Sequence, residues 1–216
     1  MVELRKGFHQ ELDALRDEVV KVAENVAGQI VHVTDALVRH DLDLANQIIA
    51  AAPDTSATAR DLEERCYRLL ALQAPVASDL RQIVALIKML FDIGRASELV
   101  VNIAKATTKV GDSNIHTAVL GLFAEMGKQA NLLFIAALDA LRSDDIAKAT
   151  ILDDLDSQLD LLQKQVIKMI LELHRGGGDD LRLAIREAMV ARFYERIGDH
   201  AVQIGERVKY MLTGAV

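Results

Sequence analysis

The sequence predicts an all-α protein: two tandem, homologous three-helix bundles, six long antiparallel helices in all. Three observations predict it. Hydrophobic residues fill 51% of the 216 positions, yet aromatics fill only 4% and there are just two prolines. A core of Leu, Ile, Val and Ala with few breakers suits helix packed on helix, because Pro would interrupt the hydrogen-bond ladder. Apolar residues recur at steps of three and four, and no stretch sustains the two-residue alternation of a strand. Finally, the second half repeats features of the first in the same order.

The elements follow from local breaks. A first helix runs from the charged N-terminus MVELRKGFHQELDALRDEVV, which lacks the apolar run of a signal peptide, to an interruption at His40-Asp41. A second ends at Gln73-Ala74-Pro75. Pro75 is expected in the first turn of a third helix, where its missing N–H costs nothing. That third helix is marked by Leu80, Ile83, Val84, Ile87, Leu90 and Phe91. Gly111-Asp112-Ser113-Asn114 reads as the central linker, dividing the chain into domains 1–110 and 115–216. Arg142-Ser143-Asp144 and Gly176-Gly177-Gly178 punctuate the second half. Its last helix carries Val190, Phe193, Ile197, Ala201, Ile204 and Val208 on one stripe.

The repeat is detailed. Asp35-Ala36-Leu37, then Asp41 and Ala45, is echoed by Asp139-Ala140-Leu141, then Asp145 and Ala149. Arg95, Glu98 and Val101-Asn102-Ile103-Ala104 are echoed by Arg196, Asp199 and Val202-Gln203-Ile204-Gly205. The offset shrinks slightly between the two matches, as a shorter hairpin in the second half would produce.

Charge and cysteine usage narrow the function classes. With 32 acidic against 25 basic residues the net charge is −7, which repels a phosphate backbone, so no nucleic-acid partner is expected. The single cysteine, Cys66, cannot form an internal disulfide and reads as a small core residue of a reducing compartment. The most apolar stretches, such as Gln82 to Gly94, are interrupted by Lys88 and Asp92. Nothing approaches the roughly 20 residues of a membrane span, and a cytoplasmic protein is expected.

Carboxylates four apart lie on one helix face. Glu195 with Asp199, and Asp156 with Asp160, form two such pairs on the last two helices. Brought together by an antiparallel hairpin, they would suit an oxygen-preferring cation such as iron, manganese or magnesium. About five such pairs arise by chance in a chain this acidic, so spacing alone is a weak signal. Both pairs project off the apolar stripes, which places the site on the outer flank of the bundle. Arg192 and Arg196 could instead satisfy the carboxylates as exposed ion pairs. No Glu-x-x-His pair, P-loop or nucleophile elbow is present, and His200 reads as a surface or interhelical residue, so no enzyme is expected.

Two stretches carry a family resemblance. Tyr194-Glu195-Arg196-Ile197-Gly198-Asp199-His200-Ala201-Val202 resembles the signature of the PhoU family, and Leu69 to Arg81, LLALQAPVASDLR, resembles its second marker. Tyr210-Met211-Leu212-Thr213-Gly214 looks like actinobacterial members. The resemblance implies a negative regulator of the phosphate-starvation response, linking a Pst-type phosphate ABC transporter to a sensor histidine kinase. It further implies surface metal clusters held by a Glu/Asp-x-x-x-Asp motif in each half, with iron first and manganese, zinc or magnesium as alternatives. The second half keeps that pattern at Asp156, Asp160, Glu195 and Asp199. In the first half the counterparts are Ala52, Ser56, Gly94 and Glu98, with Asp92 nearby, so one metal site per chain is expected. A homodimer is expected as well. Two other readings stay open: a helical scaffold with a merely solvated acidic face, and a metal-storing or di-metal protein.

Overall fold

The computed structural model describes residues 2–109, 115–174 and 178–214. All of its regular structure is helical: α1 (Val2–Arg39), α2 (Leu42–Gln73), α3 (Ala77–Lys109), α4 (Thr117–Ser143), α5 (Ile146–Thr150), α6 (Leu152–Leu173) and α7 (Asp179–Thr213). Six are long, as expected, and the short α5 is an addition that periodicity did not reveal. The linker Gly111–Asn114 and the residues Gly176-Gly177 lie outside the described residues; Gly178 sits in a turn at the start of α7.

The turns are built from matching parts. His40 and Asp144 each take a left-handed conformation, φ 54° and 50°, and end α1 and α4. The next residue bonds back five positions, Asp41 N to Ala36 O at 2.9 Å and Asp145 N to Ala140 O at 3.2 Å. Each such bond satisfies a carbonyl that the helix end leaves without a partner. Both aspartates then cap the following helix, Asp41 accepting from Leu44 N and Asp145 from Ala147 N and Lys148 N. One turn design serves both halves.

Pro75 does not start α3. Ala74 closes α2 in a left-handed conformation, and α3 begins at Ala77, leaving Pro75 in the connector. The other proline, Pro53, lies inside α2, on its exposed side. The apolar stripe read on α3 is rotated: Leu80 and Phe91 face solvent, while Ile83, Leu86, Met89, Leu90 and Ile93 are buried.

Helices α1, α3, α4 and α7 form a central square in which α1 and α7 each pack on both α3 and α4. Helix α2 covers α1 and α3 from one side, and α6 covers α4 and α7 from the other. Each half is therefore a three-helix bundle, and the two share one continuous apolar core. Cys66 is fully buried in it, and burial pushes its thiol up to about 11. Polar bonds also tie the halves together. The Tyr194 hydroxyl lies 2.9 Å from Thr34 Oγ1, and Arg16 reaches Asp144 at 2.6 Å.

One expectation about apolarity is corrected. By length and composition α4 could cross a membrane. It is nonetheless a core helix, with Phe123, Met126, Leu133, Phe134 and Leu138 fully buried. Its composition follows from its neighbours, because α1, α5, α6 and α7 all pack against it.

Candidate functional site

Helix α6 meets α7 across a glycine. A Cβ added to Gly198 would fall 2.6 Å from Leu159 Cδ2 and 2.8 Å from Asp156 Oδ1. Only glycine allows so close an approach, and the approach lays Asp156 over the turn of α7 between Glu195 and Asp199. Gly205 repeats the device one step on, beneath Leu152.

The four predicted carboxylates lie within electrostatic reach of one another across α6 and α7, Asp156 and Glu195 each facing Asp160 and Asp199, and the expected flank position fails for Glu195 alone. Glu195 is buried at 8% exposure, Asp156 and Asp160 are half-buried, and only Asp199 is exposed. The stripe geometry misplaced Glu195 because α6 leans over Gly198 and covers it. Burial, then repulsion from Asp199, Asp160 and Asp153, pushes the Asp156 carboxyl up to about 6. Burial likewise raises Glu195, and Asp199 adds to it, against the opposing pull of Arg192. Arg192 pairs with Glu195, as expected; Arg196 pairs with no described carboxylate.

Two buried oxygens here, Asp156 Oδ1 and Glu195 Oε2, have no hydrogen-bond donor. A buried carboxylate oxygen without a donor costs desolvation that nothing repays. An all-oxygen donor set of this kind fits a hard or borderline cation. As they stand, no three His, Cys, Asp or Glu side chains among the described residues are grouped to hold a metal ion.

The first half lacks this arrangement. Glu98 is exposed and paired with Arg95 at 2.5 Å, Ser56 is exposed, and nothing lies near Gly94. Asp92 turns the other way: it is buried at 4% exposure against α7, 3.1 Å from His200 Nδ1. His200 is accordingly interhelical, and Asp92 joins the halves.

A family model described as "PhoU domain" matches residues 19–107 and again 123–208. The chain belongs to the PhoU family. The phosphate-specific transport system accessory protein PhoU homolog 2 of Mycobacterium tuberculosis is 33% identical over 213 residues, 98% of this chain and 99% of that protein. The corresponding PhoU homolog of Caulobacter vibrioides is 27% identical over 209 residues, 97% of this chain and 91% of its own. Among solved structures, PhoU from Pseudomonas aeruginosa superposes with a TM-score of 0.88 at 26% identity, covering 96% of this chain and all of that one. The phosphate transport system regulatory protein PhoU from Streptococcus pneumoniae gives 0.87 at 25% identity, covering 96% and 98%.

The second PhoU repeat holds another polar cluster that spacing did not single out. His174 Nε2 lies 2.8 Å from Glu187 Oε2, and its Nδ1 meets Asp180. Glu187 is 1% exposed, and its Oε1 has no donor. A signal for it existed. Glu187 shares the buried stripe of α7 with Val190, Ala191 and Tyr194, where an acid is out of place without a partner.

Proposed function

We propose that this chain is a cytoplasmic negative regulator of phosphate uptake and of the phosphate-starvation response. In this reading it is a metal-binding adaptor between a Pst-type phosphate ABC transporter and a sensor histidine kinase. One observation carries the reading: the chain is similar, end to end and in fold, to phosphate-specific transport accessory proteins. It acts by binding rather than by chemistry, favouring whichever conformational state of transporter or kinase it contacts best. A homodimer belongs to the same reading.

Asp156, Asp160, Glu195 and Asp199 would hold the metal, iron first, with manganese, zinc or magnesium as alternatives. The orphaned oxygens of Asp156 and Glu195 support this, because a cation would supply the positive charge they lack. When bound, it would neutralise the repulsion in the groove and fix α6 against α7. The Gly94–Glu98 flank of the first bundle, with one paired carboxylate, is assigned no metal.

The reading is tested by binding of the purified, metal-loaded chain to two probes: the cytoplasmic region of the source organism's phosphate-sensing histidine kinase and its transporter's ATPase subunit. Saturable binding to at least one is expected. Absence of binding to both up to about 100 µM would leave a scaffold bundle instead.

A further inference from the structure

Away from the carboxylates, the last third of α3 and the first half of α7 enclose a groove of about 570 Å³. Its walls are Asn102, Lys105, Ala106, Lys109, Arg186, Met189 and Phe193. Along α7 the apolar wall continues upward through Ile185 and Leu181, so Leu181, Ile185, Met189 and Phe193 recur every four residues as one ridge. Three of them are about half exposed, Leu181 at 55%, Ile185 at 52% and Met189 at 50%. Apolar side chains left open in a row mark a surface that something covers. Methionine suits such a wall, because its flexible thioether moulds to a guest.

The rim carries one sign of charge. Lys105 and Lys109 from α3 and Arg186 from α7 have no carboxylate partner among the described residues; Arg186 donates only to the Lys109 carbonyl. On a chain of net charge −7, three unpaired cations around an apolar trough are a local reversal of sign. Some exposed basic residues elsewhere are paired, as in Arg95 with Glu98 and Arg142 with Glu24, and others, such as Lys128 and Lys164, are not paired among the described residues. What sets the groove apart is that three unpaired cations line one apolar trough.

We propose that this α3–α7 groove receives an amphipathic helix of another protein, its apolar face against the Met189–Phe193 wall and acidic residues along its edges. A trough between two helices fits a guest helix, which offers apolar anchors at steps of three and four. The basic rim selects acidic flanks and speeds encounter. A second copy of this chain or an anionic lipid surface are the other occupants the test separates. The proposal stands apart from the phosphate reading: a helix from a protein unconnected with phosphate uptake would uphold the groove and leave that reading without support.

The test is photo-crosslinking in growing cells, with the full chain carrying benzoylphenylalanine in place of Met189. A matched control carries it in place of Leu161, which is 58% exposed on α6. The crosslinked peptide is identified by mass spectrometry. The expected result is an acidic, helix-forming segment of another protein, with yield falling about tenfold in K105E/K109E. Those two substitutions lie on exposed positions, and unchanged helical circular dichroism verifies the fold. Adducts to this same chain, to lipid, to a segment without acidic flanks, or no yield above the Leu161 control would each overturn the proposal.

Discussion

Asp199 sits where removing one charge should have opposite effects with and without metal. In the metal-free chain it repels Asp156 and Glu195 and is itself exposed, so nothing buried is lost with its charge. Asp199→Asn should therefore raise the thermal midpoint of the metal-free protein by about 1–2 °C. It should also abolish any rise on adding iron(II) or manganese, and calorimetry with and without metal reads both. A metal-induced rise that survives in the variant would remove Asp199 from the donor set. His174 gives a pH signature of its own. Hydrogen bonding to Asp180 first, then to Glu187, raises it above its ordinary 6.5. A raised histidine adds stability that is complete below pH 6.5 and lost as pH rises through the folded value. Wild type should thus lead His174→Gln in urea midpoint near pH 6, with the gap narrowing toward about pH 9. Glu187 faces His174, Asp180 and His116, and burial raises its own carboxyl above the usual carboxylate range, against the pull of His174. A gap independent of pH would mean that His174 serves only by packing.

The pairing of α6 with α7 depends on Gly198. Alanine there would drive its Cβ into Leu159 and Asp156, forcing the helices apart. Gly198→Ala should cost about 1–3 kcal/mol in chemical denaturation, the usual penalty of overpacking, and should weaken metal binding at the same time. Unchanged stability would mean that the helices separate freely. At this scale much was legible beforehand. The ends of α1, α2 and α4 follow from His40-Asp41, Gln73-Ala74-Pro75 and Arg142-Ser143-Asp144, where turn-forming residues interrupt clear three-and-four periodicity. What escaped depended on neighbours. Leu80 and Phe91 keep helical spacing with the buried residues of α3 yet face solvent, because which face is covered is set by α1, α2 and α7. The Asp156–Asp160 and Glu195–Asp199 spacings were visible, but the burial of Glu195 was not, since it depends on where α6 crosses. The Asp92–His200 bond joins residues 108 positions apart, a distance no periodicity spans.

At the scale of the whole molecule, the duplication yields two bundles that share a core but not a surface. The turn built by His40-Asp41 recurs at Asp144-Asp145, so the repeat preserved the scaffold. The four-carboxylate pattern is kept only in the second half; in the first, Glu98 is taken up by Arg95, and nearby Asp92 fastens the halves together. The described residues thus carry an acidic cluster on α6–α7 and a basic-rimmed apolar trough on α3–α7, two surfaces of opposite character on one shared core. The proposed adaptor role would use such distinct faces to restrain phosphate uptake. Deleting its gene in the source organism and following a phosphate-starvation reporter in phosphate-rich medium tests that claim most directly. The account predicts a reporter switched on despite ample phosphate, silenced again by the wild-type gene and only weakly by E195A/D199A. A reporter that stays silent in the deletion strain, with no second family member present, would contradict it.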